Sequence, residues 1–117
     1  MTTTTSEQPE LPNDLPEQVR RALAEDIGSG DLTAALVPAG QHATARIITR
    51  QDAVLCGRAW VEEAFRQLSP AISLGWQAAE GARVAAGTQL CELRGPARPL
   101  LTGERTALNF LQTLSAV

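Results

Sequence analysis

The chain has 117 residues and a formal charge of -3, which gives room for one domain but little for a stand-alone enzyme with its own deep cleft. Its 44% hydrophobic and 20% charged residues are ordinary for a soluble globular protein, and the slightly acidic balance offers no footprint for nucleic acid or an anionic membrane. All 10 basic residues are arginines, so a Schiff-base lysine, a Walker-type phosphate loop and a lipoyl- or biotinyl-lysine are excluded for this chain.

The opening "MTTTTSEQPELPND" lacks both the basic and the apolar region of a signal peptide, and no apolar run is long enough to span a bilayer. A cytoplasmic protein with a disordered tail over residues 1–14 is the expectation, since so polar a stretch buries too little to offset its ordering entropy. A helix is predicted over 15–27, capped by Asp14 and ended by Gly28, with Leu15, Val19, Leu23 and Ile27 as its buried stripe. In "GSGDLTAALVPAG" Asp31 is placed to cap a short helical turn. The cluster Glu25, Asp26 and Asp31 fails as a calcium loop, because the twelfth position counted from Asp26 holds Val37 instead of the bidentate Glu.

From Ala43 the texture changes to period two: "HATARIITR" and "AVLCG" read as a pair of strands joined across Gln51-Asp52. "RAWVEEAFRQL" returns to helical spacing, with Val61, Ala64, Phe65 and Leu68 inward and a Glu62–Arg66 pair outward. Further strands follow in "AISLGW" and "QLCELRG", separated by turns at Gly81 and Gly87. "GPARPLL" reads as an extended connector, because Pro96 and Pro99 push the residues before them away from helical geometry. The sum is an α+β domain, a sandwich of short strands with helices packed on the sheet. His42, the single histidine, has no partner motif, and Cys56 and Cys91 lack metal or redox spacing; both read as reduced thiols.

The last segment, about 101–117, is an amphipathic helix. At about 100° per residue Ala107, Phe110, Leu111, Leu114 and Val117 share one face, and Thr102, Arg105, Asn109, Gln112 and Thr113 share the other. Glu104 falls at the edge of the apolar face. No Gly, Asn or Pro ends the helix, so the chain is expected to break off inside it with its apolar face uncovered, and the chain is then expected to associate. Spacing alone leaves Arg105 between a solvated surface cation and a functional group.

"EDIGSGDLTAALVP", "ITRQDAVLCGRAWVEEAF" and above all "LLTGERTALNFLQTLS" resemble the N-terminal region of the bacterial quinolinate phosphoribosyltransferases, the decarboxylating nicotinate-nucleotide pyrophosphorylases of NAD biosynthesis. The resemblance runs from about Ala22 to Val117, with Ala116 standing where the family commonly has Gly. It implies a barrel-sandwich-like N-terminal domain followed by an α/β barrel that holds most of the active site and its lysines. It also implies a homodimer or higher oligomer, quinolinate and phosphoribosyl pyrophosphate as substrates, and Mg²⁺ in the whole enzyme with none bound by this portion. Arg105, in the "ERT" motif, is the implied substrate-binding residue, reaching quinolinate in the partner subunit's site. A non-catalytic lipoyl-like module, or a phosphoribosyltransferase for another pyridine acid, remains as the alternative.

Overall fold

The computed structural model describes residues 12–30 and 36–115, the side chains of 28–30 excepted. The first eleven residues of the expected tail and the Asp31 turn therefore lie outside the described residues. Helix α1 spans Leu15–Gly30, α2 Arg58–Leu68 and α3 Ala97–Leu114. Strands β1 (His42–Ile48), β5 (Gln89–Pro96) and β3 (Ser73–Trp76) form an antiparallel sheet in the order β1-β5-β3. Strands β2 (Ala53–Val54) and β4 (Arg83–Val84) make a separate two-stranded sheet. The expected α+β class is what the structure has.

Helix α1 follows the expected stripe for three of its four positions. Leu15, Val19 and Leu23 are buried, whereas Ile27 is 42% exposed. Steps of four residues drift about 40° round a helix, so by the fourth member the stripe has turned off the contact surface. Eleven residues make just over three whole turns, and Asp26 therefore returns to the face that Leu15 began. The helix also runs past Gly28 to Gly30; one glycine costs a helix about 1 kcal/mol and does not stop it. Asp14 accepts the Gln18 amide at 3.1 Å through its carboxylate, and its carbonyl accepts the Gln18 backbone N–H at 2.9 Å.

The expected pairing of the two strands after Ala43 is not what forms. β1 runs antiparallel to β5, with Ala45 opposite Leu93, while β2 pairs with β4. At the corner Thr49 exchanges backbone bonds with Gly87 and Thr88, and the Asp52 carboxylate accepts the Ala86 N–H at 2.8 Å, so the chain is drawn to the 85–88 turn instead of folding back on itself. On α2, Val61, Ala64 and Phe65 are buried as expected. Arg66, however, pairs with Glu63 at 2.5 Å, one residue closer than Glu62, and Glu62 faces Arg58 at 3.9 Å.

The proposed connector at 95–101 is helical from Ala97 onward. Pro99 falls in the first turn, where a backbone N–H has no intrahelical acceptor to lose, so proline is tolerated there. The other end of α3 also departs from expectation. Ser115 stops it with an extended backbone, its N–H donating to the Leu111 carbonyl at 2.9 Å. Its hydroxyl accepts the Cys56 N–H at 3.1 Å and donates to the Cys56 carbonyl at 3.0 Å. The supposedly uncovered face of α3 is covered as well: Ala107 and Leu111 join the core of Leu55, Val61, Phe65, Cys91 and Leu93, and Phe110 packs on the α1–α2 cluster of Val19, Leu23 and Ala64.

Candidate functional site

The site is built on α3, and α3 is held by unusually close contacts. Gly103 packs so tightly on α2 that a Cβ there would come within 2.7 Å of both Phe65 and Leu68. Two residues further on, about 200° round the helix, stands Arg105. What presses Gly103 inward therefore points Arg105 outward. Arg105 is exposed, and among the described residues no hydrogen bond or ion pair engages its guanidinium. Asn109, Gln112 and Thr113 are exposed beside it, so the predicted polar stripe is present.

Thr106 is 1% exposed and donates its hydroxyl to the Asp26 carboxylate. An unpaired buried hydroxyl costs roughly 1–3 kcal/mol, so Asp26 is what permits Thr106 at this position. Sequence reading missed both. The signal was available, since Asp26 lies on the apolar stripe of α1 and Thr106 on the buried side of α3.

On the other flank of α3 lies an open apolar groove of about 350 Å³. Ala43, Ala45, Ile47 and Leu93 form its floor, and Leu100, Leu101, Glu104 and Leu108 its wall. Glu104 is exposed there, so water meets the carboxylate that an apolar edge would otherwise penalise. One end is closed by the 37–41 segment, tied by Arg98 to the Val37 carbonyl at 2.6 Å and by the Ala97 N–H to the Gln41 carbonyl at 2.7 Å.

A third constellation is structural. Helix α2 begins at Gly57, whose φ of 109° and lack of a side chain leave the first N–H groups uncapped from within. Glu80, on a distant turn, accepts the Gly57 N–H at 3.0 Å and the Arg58 N–H at 3.1 Å. The carboxylate supplies both the acceptors and the negative charge that a helix start favours. Cys56 lies beside it, its thiol pushed up by burial and by Glu80. Burial pushes the Cys91 thiol up to about 11, so neither cysteine is a nucleophile near neutral pH. His42 is exposed at the start of β1, and Asp31 lies outside the described residues.

No group of three His, Cys, Asp or Glu among the described residues could hold a metal ion. Among these residues no helix is long and apolar enough to cross a membrane.

Residues 31–115 match the family model for the quinolinate phosphoribosyl transferase N-terminal domain. The chain belongs to this family. A probable nicotinate-nucleotide pyrophosphorylase of Bacillus subtilis is 36% identical over 93 residues, covering 80% of this chain and 32% of that protein. A quinolinate phosphoribosyltransferase (decarboxylating) of Nicotiana tabacum is 31% identical over 106 residues, covering 89% and 30%. Among solved structures, the nicotinate-nucleotide pyrophosphorylase from Francisella tularensis superposes with a TM-score of 0.81 at 41% identity, over 88% of this chain and 37% of that one. The chain spans about a third of the length of these relatives. As a quinolinate phosphoribosyl transferase N-terminal domain, it carries the "GERTALN" stretch on α3, the helix whose packing has just been described.

Proposed function

We propose that this chain serves as the N-terminal domain of an enzyme that transfers phosphoribosyl from phosphoribosyl pyrophosphate to quinolinate, giving nicotinate mononucleotide, CO₂ and pyrophosphate. In that reaction the pyridine nitrogen attacks the anomeric carbon, the bond to pyrophosphate breaks, and one ring carboxylate leaves as CO₂ with a proton taking its place. Such a reaction separates and relocates negative charge throughout, so fixed cations carry much of the catalysis. The α/β barrel supplies the catalytic groups and any Mg²⁺ site, and the enzyme works in the cytoplasm as a homodimer or higher oligomer.

The role assigned to this domain is to present Arg105 to the quinolinate carboxylates across a subunit interface. One observation supports it most: α3 is clamped on the side opposite Arg105, while among the described residues no group engages the guanidinium. A planar fork of donors fits a carboxylate two-pronged, which a lysine cannot reproduce. In the enzyme uniting domain and barrel, Arg105→Ala is expected to leave the fold intact and lower quinolinate kcat/KM by one to several orders of magnitude, since losing a desolvated charge-assisted pair costs about 2–5 kcal/mol. Arg105→Lys should recover only part. Mixing Arg105→Ala subunits with subunits inactivated only in the barrel should restore one working site per mixed dimer. Mixtures no more active than either parent, with subunit exchange verified, would place Arg105 outside the partner's site. Nicotinate as competing substrate tests the choice of pyridine acid.

A further inference from the structure

We infer that Asp26 is a positioning residue for Arg105, acting through Thr106; this rests on the reading of Arg105 given above. Arg105 is exposed, so its own side chain does not fix where it points. Its direction is set by the rotation of α3 about its axis; Ala97, Arg98 and Ser115 tie the two ends of the helix, and two further contacts lie close to Arg105 itself. Gly103 seats against Phe65 and Leu68 of α2, which fixes how deeply the helix lies. Thr106, about 100° round from Arg105, is tied to Asp26 of α1, which fixes how far the helix can roll.

Close packing at Gly103 and of the buried Leu100, Ala107 and Leu111 confines the helix, but these contacts are steric and carry no preferred angle of their own. The hydroxyl–carboxylate bond is directional, and it sits one residue from the guanidinium it steers. Thr106 is the one buried polar side chain among the described residues, at a place where Ala or Val would pack equally well if packing were the whole purpose. Moving a substrate-binding group by about 1 Å is enough to cost a large factor in rate, so control of roll has kinetic weight.

The test compares Asp26→Ala, Asp26→Asn, Thr106→Val, Thr106→Ser and Arg105→Ala in the enzyme uniting domain and barrel. Quinolinate and phosphoribosyl pyrophosphate kinetics are measured separately, and Asp26→Ala is also combined with Arg105→Ala. Asp26→Ala and Thr106→Val are expected to raise the quinolinate KM about five- to tenfold, the equivalent of one hydrogen bond, with the phosphoribosyl pyrophosphate KM little changed. Asp26→Asn and Thr106→Ser keep an acceptor and a hydroxyl, and should recover most of the loss. In the Arg105→Ala background, Asp26→Ala should add nothing. A full additional loss in that background, or equal loss toward both substrates, would show that Asp26 holds the fold and does not aim Arg105. An unchanged quinolinate KM in Asp26→Ala overturns the inference too. If instead Arg105→Ala itself leaves quinolinate kinetics untouched, the assignment of Arg105 fails first, and the two failures are told apart by that single variant.

Discussion

The two flanks of α3 are packed in opposite ways. Toward α1 and α2 it presents Gly103, Thr106 and Ala107, and these let helix approach helix until no Cβ could be added at 103. Toward β1 it presents Leu101, Glu104 and Leu108, and between them and Ala43 and Ala45 there is open space. One helix thus has a closed side that sets its position and an open side that fixes little. The role proposed for Arg105 needs the closed side, because an exposed cation can be aimed only by the backbone that carries it.

The comparison breaks most severely at Gly103. Gly103→Val places two methyl groups where Phe65 and Leu68 already stand within 2.7 Å of a Cβ. Overpacking of this kind costs about 1–3 kcal/mol and forces α3 away from α2. Chemical denaturation should show that loss, with weakened protection of α3 amides against exchange. A variant as stable as the parent would mean that the α2–α3 contact is looser than the structure has it.

The next effect is smaller and concerns how α2, the platform for Gly103, is itself held. Glu80 caps its first turn from a distance of more than twenty residues. Glu80→Ala leaves the Gly57 and Arg58 N–H groups without their acceptor, and removing a cap costs about 1 kcal/mol. Thermal unfolding should register the loss, and Glu80→Gln should retain part of the stability through its remaining oxygen. No change in either variant would indicate that water caps α2 equally well.

Legibility in the sequence followed the range of the interaction. The helices were readable from periodicity, as was the polar stripe that exposes Arg105, because those patterns are repeated locally. The pairing of β1 with β5 was not, since register between strands more than forty residues apart depends on which corner the chain is drawn to, here by Asp52 and Thr49. Pro99 misled in the same way: proline punctuation signals a boundary, but the first turn of a helix accepts it. Asp26 and Thr106 were readable in principle. Each is a polar residue on an apolar stripe, and two such anomalies on different helices can satisfy one another. The family came from motif blocks, which physical patterning could not have supplied, while the clamp behind Arg105 came only from the packing.

The smallest expected effect tests the open side. Ala45 is exposed in the groove although its rung partner Leu93 is 2% exposed, so one antiparallel pair holds a covered and an uncovered residue side by side. If the groove is open in solution, Ala45→Gln sheds no buried apolar contact and strands no polar group, since its amide reaches water along the free edge of β1. Surface substitutions away from special features stay within about 0.5 kcal/mol, and this one should do the same in the chain alone. The measurement is the unfolding midpoint of Ala45→Gln beside that of the parent, over a range of protein concentrations. A loss well above 1 kcal/mol in the ~2–3 kcal/mol range of buried polar substitutions would mean that something covers the groove. Dependence of that loss on concentration would identify the cover as a second copy, and independence would place it within the chain. Near-neutrality would leave the groove as a surface that tolerates change, beside a helix face that does not.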